Sequence, residues 1–432
     1  MSDAKRQKTI APWLARLYDE SLTELDMKWT NIGPKGGIEL AEAVAANGSL
    51  RTLNVERCGL AYQGGRALGE ALVKNMALTT LDLSLNDIGP DGGRAVGDAL
   101  KTNRTIMELI MAKCGLGPEG GRVVAEALES NTTLRILNVE GNDVGIDGGR
   151  SFGSALSTNA TLTELNMRWN CIGFGFEGAK AFAQGLRTNR GLLKLNLFNN
   201  ELCTEGAAEV ALALSTNSTL TEMHLERNEI GAAAGGAAYG RHDRGHTVAG
   251  VTDAATAAAA AFGIAMGDAL RANTSLLRLH MTENDRIGAE AGAPMCAALA
   301  LNASLTELHV GRCEIGEAGG VALGGALATN RTLRILDLAR NSLGPVGAAA
   351  IAAVLPVRCL PLSLVAAPPA SPPLSLVAAP SHGPSHGHVW PLADTHGADI
   401  TGPVLQYSWE RGRRSCRPRP GLQPNSHQSQ PE

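Results

Sequence analysis

Apolar residues recur along the chain in the spacing Leu-x-x-Leu-x-Leu, with Met, Val or Ile standing in at some places. Eleven copies occur, and the residue that opens each copy is numbered position 1 of its repeat: Leu22, Leu50, Leu78, Ile106, Leu134, Leu162, Leu192, Leu220, Leu276, Leu305 and Leu333. Seven of the ten steps between them are 28 residues, and the others are 29, 30 and 56. A fixed period of this length predicts a solenoid in which each repeat packs against its neighbours.

Each period predicts one strand and one helix. In the repeat that opens at Leu78, Leu81 and Leu83 alternate with polar residues and therefore share one face of a short strand. Pro90 suits the first position of a helix, and the apolar stripe within 95–100 predicts a helix packed by one face. Stacked repeats would form an inner parallel sheet with outer helices, curved because the helix side is wider. We therefore expect an α/β horseshoe of about eleven repeats.

The repeat pattern NxxLxxLxLxxNxIGxxGxxALxxAL resembles the ribonuclease-inhibitor type of leucine-rich repeat. Repeats of this type also build the repeat domains of NOD-like receptors and of Ran GTPase-activating proteins. The resemblance covers about three quarters of the chain and implies the horseshoe fold. It implies no single activity, because these relatives perform different tasks on one scaffold.

Position 9 carries asparagine in seven repeats and cysteine in three, Cys58, Cys114 and Cys313. A buried side chain here is predicted to bond the backbone of adjacent repeats and so form a ladder. Equivalent positions two repeats apart would lie about 10 Å from each other, too far for a disulfide. Free thiols and the absence of a hydrophobic stretch near the N-terminus indicate a reduced, cytoplasmic protein.

A second asparagine closes each helix in ten repeats. Eight of the ten read Asn-x-Ser/Thr, the acceptor pattern for glycosylation. A structural role is the preferred interpretation, because asparagine tolerates the left-handed conformation at a helix C-terminus. The sequence therefore predicts left-handed caps at these sites.

The pattern divides the chain into three parts. Residues 1–21 are predicted to form a capping helix, residues 22–355 the repeat array, and the Pro-rich residues 356–432 a disordered tail. The cap helix would cover the open edge of the first strand with Ile10, Trp13, Leu14 and Leu17. The 56-residue step leaves two interpretations of residues 236–262: an inserted Gly/Ala-rich loop, which is preferred, or a degenerate twelfth repeat.

The composition and the motifs exclude several classes of function. With 38 basic and 42 acidic residues, the chain has no basic footprint for nucleic acid or membrane. No Gly-Lys-Ser/Thr loop, GxSxG or HExxH occurs, so no enzyme activity and no cofactor are expected. The expected molecule is a monomer that binds an unidentified protein.

Position 5 faces the concave side of the predicted sheet. It reads Asp26, Asn54, Asp82, Ile110, Asn138, Asn166, Asn196, His224, His280, His309 and Asp337. His280 and His309 would lie about 4.8 Å apart, within reach of a shared metal, and His224 would join them only if the 236–262 segment adds no strand. A solvated polar ladder is preferred, because no cysteine or third carboxylate is expected to converge there. The pair His242 and His246 also offers too few ligands, and no metal is predicted.

Positions 7 and 8, where the strand leaves the sheet, are the predicted binding site. Tryptophan and arginine dominate binding hot spots, and these positions carry Trp29, Arg57, Arg168, Trp169, Phe198, Arg227, Arg312 and Arg340. The tryptophans are expected to project from the concave edge. The alternative is that each lies flat over a neighbouring strand and only covers the sheet.

The leading functional prediction is a non-enzymatic scaffold that binds a partner protein on its concave face. One alternative is a GTPase-activating protein for a Ran-like small GTPase. Those relatives carry an acidic C-terminal extension, whereas this chain has six Arg against four Asp and Glu after Pro356. A weaker alternative is a ribonuclease inhibitor, for which the net charge of −4 is the argument.

Overall fold

A computed structural model describes residues 3–231 and 253–355 and the backbone of 363–365. These residues form one parallel sheet whose strands follow chain order. Its strands are β1 Glu24–Asp26, β2 Thr52–Asn54, β3 Thr80–Asp82, β4 Glu108–Ile110, β5 Ile136–Asn138, β6 Glu164–Asn166, β7 Lys194–Asn196, β8 Glu222–His224, β9 Arg278–His280, β10 Glu307–His309, β11 Ile335–Asp337 and β12 Ser363–Val365.

A helix precedes β1 and one helix follows each strand from β1 to β11. The helices are α1 Asp3–Leu17, α2 Gly33–Ala46, α3 Ala61–Lys74, α4 Gly89–Leu100, α5 Gly117–Leu128, α6 Gly145–Thr158, α7 Glu177–Thr188, α8 Cys203–Leu214, α9 Asp253–Ala272, α10 Gly288–Ala298, α11 Gly316–Thr329 and α12 Gly344–Val354. The predicted α/β solenoid is confirmed.

The core lies between the sheet and the helices. Neighbouring strands pair in matching register, so Leu53 on β2 aligns with Leu25 on β1 and Leu81 on β3. These leucines are fully buried, as are the apolar residues at positions 1 and 6 of most repeats. Because side chains alternate along a strand, positions 3 and 5 face the opposite, concave side.

The position 9 asparagines form the predicted ladder along one edge of the core. Asn170 donates through Nδ2 to the carbonyl oxygens of Val139 (2.9 Å) and Met167 (2.9 Å), and its Oδ1 accepts from the N–H of Asn142 (3.1 Å). Where cysteine replaces asparagine, its thiol still donates to the preceding repeat, as Cys58 does to Met27 (3.0 Å).

The asparagines that close the helices form a second ladder, and the predicted left-handed caps are wrong. Asn75 is extended, with φ −74° and ψ 123°. Its Nδ2 donates to the carbonyl oxygens of Val44 (2.7 Å) and Asn47 (2.9 Å), while its Oδ1 accepts from the backbone of Leu78 (2.8 Å). Asparagine is thus selected here for its two-sided hydrogen bonding to the repeat before it and to its own strand.

The N-terminal helix packs beside the first helix of the array. α1 contacts α2, and its Ile10 and Leu17 are buried, with Trp13 and Leu14 partly buried against the same core. The predicted apolar face therefore packs on the helix layer beside α2, rather than along the open edge of β1 as predicted.

β8 pairs directly with β9, although their repeats lie 56 residues apart in the sequence. The last part of the predicted 236–262 insertion belongs to α9, which begins at Asp253. Residues 232–252, including His242 and His246, lie outside the described part of the chain.

The sheet extends past the predicted end of the array at Leu355. Ser363–Val365 pairs in parallel with β11 as β12, one period after the preceding strand. Contacts divide the chain into residues 1–366 and 367–432, and the residues that the structure describes all lie in the first unit. Within them, no helix is long and apolar enough to cross a membrane.

Candidate functional site

Position 8 of every repeat from the first to the eleventh adopts positive φ, as in Trp169 at 56°. Its N–H donates to the next repeat's position 7 carbonyl, and the Trp169 N–H reaches the Phe198 oxygen at 3.0 Å. This regular turn places the side chains of positions 7 and 8 side by side at the carboxyl ends of the strands. Residues from repeats four to ten there form a surface that we call the cation–aromatic row: Lys113, Arg168, Trp169, Phe198, Arg227, Glu283 and Arg312.

The centre of the row is the guanidinium of Arg168. It lies 4.5 Å from the ring centre of Trp169 and 4.0 Å from that of Phe198, and the two rings meet edge to face at 6.1 Å. Arg168 is half-buried, its Nε has no hydrogen-bond partner among the described residues, and burial lowers the pKa of its guanidinium. A cation is thus held partly out of water between two aromatic faces.

Lys113 reaches the row across a glycine. The repeat between Lys113 and Trp169 has Gly141 at position 8, and a Cβ there would lie 2.9 Å from the Lys113 Cγ. The missing side chain lets the lysine extend over this repeat, and its Nζ lies 4.9 Å from the Trp169 ring centre.

Beyond Phe198 the row becomes a chain of charges. Arg227 lies 5.6 Å from the Phe198 ring centre and also forms an ion pair with Glu283. Glu283 accepts from Arg312 Nη1 at 3.3 Å on its other side.

Two further carboxylates lie beside the row: Glu140, 4.0 Å from Lys113 Nζ, and Glu226, which like Glu140 favours the charged form of Arg168. Four cations thus stand against three carboxylates, and the positive excess is small.

A separate pair lies at the N-terminal end of the same edge. The guanidinium of Arg57 lies 4.4 Å from the ring centre of Trp29, whose side chain is 61% exposed. Trp29 and Trp169 follow strands β1 and β6, which corresponds to about 24 Å at five strand spacings.

The concave face carries a second cluster, formed by the three position 5 histidines. His280 stacks between His224, at 4.2 Å between ring centres, and His309, at 4.5 Å, with the planes within 12° of parallel. The direct pairing of β8 with β9 brings His224 into this histidine stack.

Carboxylates flank the histidine stack, which corrects the expectation that no third carboxylate converges there. They come from positions 3 and 7, which face the same side as position 5, and from the next strand. The contacts are His224 Nε2 to Glu222 (3.1 Å), His224 Nδ1 to Glu226 (3.0 Å), His309 Nε2 to Glu307 (2.7 Å) and His309 Nδ1 to Asp337 (3.7 Å).

The charged and buried surroundings shift the pKa values of the three histidines in different directions. Burial opposes protonation of His224, but hydrogen bonds to Glu222 and Glu226 raise its pKa to about 9. Burial and repulsion from His224 lower the pKa of His280 to about 4. The pKa of His309 is raised by Asp337 and Glu307 against the effect of its burial. Protonation is therefore favoured at the two outer rings and disfavoured at the central one.

Eight segments of the chain match the model of a known repeat family. A family model described as leucine-rich repeat matches residues 18–41, 74–97, 102–125, 130–153, 158–183, 272–296, 301–324 and 329–352. The chain contains leucine-rich repeats. The eight matched segments lie within the leucine-rich-repeat array described above, on both sides of the 56-residue step.

Two solved structures are similar to parts of the leucine-rich-repeat array. A structure of the leiomodin-1 actin-binding site 2 is 17% identical, covering 40% of this chain and 87% of that chain with a TM-score of 0.27. A structure of the Rad7 and Elc1 complex in yeast is 14% identical, covering 84% and 88%, with a TM-score of 0.38. At these scores neither carries an argument about function. No curated protein matches the chain.

The leucine-rich repeats bring most of the predicted binding residues together. Arg168, Trp169, Phe198, Arg227 and Arg312 lie in the cation–aromatic row, whereas Trp29 and Arg57 form their own pair. Arg340 is exposed one repeat beyond Arg312. Trp29 is exposed, whereas Trp169 is half-buried beside Lys113, Arg168 and Phe198.

Sequence analysis missed Lys113 and Glu283 as members of the row. Glu283 stands at position 8 and appears as an ordinary charged residue, and Lys113 lies two repeats from its aromatic partner. The available signal was Gly141 at position 8 of the intervening repeat, the one place where that position lacks a side chain.

Proposed function

We propose that this leucine-rich-repeat protein is a non-enzymatic scaffold that binds a partner protein along its concave edge, with the cation–aromatic row as the main contact. The observation that carries this proposal is the placement of Arg168 between Trp169 and Phe198. Aromatic residues and arginine contribute most to binding hot spots. An arginine already held between rings loses little side-chain freedom when a partner docks.

The charge of the row indicates the chemistry of the partner. Four cationic side chains accompany two aromatic rings, with the carboxylate of Glu283 in the row and those of Glu140 and Glu226 beside it, which leaves a small positive excess. A partner surface with carboxylates would complement this charge, and apolar groups would cover the rings. The 28-residue period supports assignment to the ribonuclease-inhibitor type of repeat, and the free cysteines of the described residues support a cytoplasmic location.

Replacing Trp169 with alanine is expected to weaken partner binding by about 2 kcal/mol, or about thirtyfold in Kd, because Arg168 loses one of its two aromatic faces. Trp29→Ala should act similarly if the partner spans both points. Partners captured by the full chain would be identified, and their affinities then measured by titration calorimetry. The melting temperature of each variant should stay near that of the parent chain.

Leu301→Ala is the matched control. Leu301 is 71% exposed in the turn after α10 and so tests the loss of an exposed apolar side chain away from the row. Normal binding by both tryptophan variants would contradict the proposed surface. So would an equal loss of affinity in the Leu301 variant.

The GTPase-activating alternative is tested with a purified Ran-like GTPase loaded with GTP. A scaffold should leave the hydrolysis rate unchanged, whereas activators of this kind raise it by about 10³-fold or more. Phosphate release measured with and without the full chain distinguishes the two. An acceleration on that scale would overturn the non-enzymatic scaffold, and the ribonuclease-inhibitor alternative is tested in the same way against ribonuclease activity.

A further inference from the structure

The histidine stack lies outside the proposed partner surface and presents the chemistry of a metal site. Nitrogen atoms of His280 and His309 and a carboxylate oxygen of Glu307 lie within 4.8 Å of one another. A second group, Glu222 with His224 and His280, meets the same limit. Imidazole nitrogens together with carboxylate oxygens are a donor set suited to zinc and its neighbours rather than to calcium or magnesium.

Two carboxylates flank the ring of His309. Glu307 Oε1 lies 2.7 Å from Nε2, at hydrogen-bond distance. Asp337 Oδ2 lies 3.7 Å from Nδ1, on the side away from Glu307. A carboxylate on the far nitrogen of a ligating histidine favours a proton there and orients the ring. A metal cation would take the place of the proton that Nε2 shares with Glu307, and both groups would then act as ligands.

Arg278 distinguishes the two groups. It donates to Glu222 Oε2 through Nε at 3.0 Å and Nη2 at 2.5 Å, and so leans toward β8. Its guanidinium engages the carboxylate of the second group, Glu222 with His224 and His280, and would repel a metal cation placed there. Glu307, on the other side of β9, makes its ion pair with His309 itself.

We propose that His280, Glu307 and His309 bind one divalent transition-metal ion of the zinc type, with an open position toward the concave face. A tetrahedral zinc site with bonds near 2.0 Å requires ligand atoms about 3.3 Å apart. The Glu307 and His309 atoms, now 2.7 Å apart, would move slightly apart, and the nitrogen of His280 lies within 4.8 Å of both. Three protein ligands and one open position is the arrangement that zinc adopts where it also binds an exogenous group.

The test is a titration of the metal-stripped full chain with CoCl2, followed by visible absorption, and then displacement by ZnCl2. Cobalt bound by nitrogen and oxygen ligands gives visible bands without the thiolate charge-transfer band that cysteine ligands would add. We expect His309→Asn and Glu307→Gln each to weaken binding by at least about tenfold. His224→Asn should bind as the parent chain does, because it removes a member of the stack that is not a ligand.

The chain contains ten histidines, so the difference between variants is the readout rather than total metal bound. Circular dichroism checks that each variant is folded, and the near-isosteric Glu307→Gln serves if a histidine variant is not. Unchanged affinity in both His309→Asn and Glu307→Gln would overturn the proposal. It would also be overturned if His224→Asn lost as much affinity as they did, or if the parent chain bound no cobalt.

Discussion

Replacing Asn170 with leucine is expected to lower the free energy of unfolding by about 4 kcal/mol, although the two side chains are similar in size. Asn170 is fully buried. Leucine would leave the N–H of Asn142 without its side-chain partner and would remove one of two side-chain donors from each of the carbonyl oxygens of Val139 and Met167, at about 1 kcal/mol for each lost hydrogen bond. Each buried polar group left unsatisfied costs about 1–3 kcal/mol. Urea unfolding followed by circular dichroism measures the change.

The other repeats supply the control, Asn170→Cys. Cysteine occupies the same position at 58, 114 and 313, where its thiol donates to the preceding repeat at 3.0–3.2 Å. The cysteine variant should therefore lose about half as much stability as the leucine variant, since one donor remains. Equal losses would show that shape rather than hydrogen bonding selects this residue.

The position 9 ladder was predictable because its cause is local and periodic. A small polar residue that recurs beside buried leucines needs a partner, and in a solenoid the adjacent repeat supplies it. The helix-closing asparagines were interpreted from the same kind of evidence but incorrectly. Left-handed caps and extended residues that bond across repeats place asparagine at the same point of the sequence. The two conformations can be distinguished only from the position of the preceding repeat, because Asn75 donates to the carbonyl oxygens of Val44 and Asn47 in that repeat.

Most residues of the cation–aromatic row could be identified one by one from the sequence, but their arrangement could not. Position 8 identified Trp169, and position 7 identified Arg168 and Phe198. Their stacking depends on the side-chain rotamers that follow from the positive φ of position 8. Lys113 reaches Trp169 only because Gly141, in the repeat between them, has no side chain. Such arrangements depend on contacts between repeats, which a repeat pattern does not specify.

The histidine stack could have been predicted more fully. Positions 3, 5 and 7 share one face because side chains alternate along a strand, so Glu222, Glu226 and Glu307 belonged in the search for ligands. Whether His224 joins His280 was not decidable from the pattern. It depends on the pairing of β8 with β9, whose repeats lie 56 residues apart.

The packing of the helix layer requires several glycines, and Gly185 on α7 is the tightest of those that contact a neighbouring helix. A Cβ at Gly185 would lie 1.9 Å from the carbonyl oxygen of Gly153 on α6 and 2.6 Å from its carbon. Because these are backbone atoms, no side-chain rotation relieves the clash, and the two helices would have to separate. Gly185→Ala is therefore expected to lower the free energy of unfolding by about 3 kcal/mol, at the upper end of the usual cost of overpacking.

Gly325→Ala is the matched control, and its effect should have the opposite sign. Gly325 is exposed within α11, and a Cβ there meets no atom within 4 Å. Alanine should raise stability by about 0.8 kcal/mol, because glycine is a poor helix former and loses more backbone entropy on folding. The urea midpoint should fall for Gly185→Ala and rise for Gly325→Ala when each variant is compared with the parent chain. If Gly185→Ala is also stabilising, close approach of α6 and α7 is not what selects glycine at that position, and helix packing in this array tolerates a wider spacing than the structure shows.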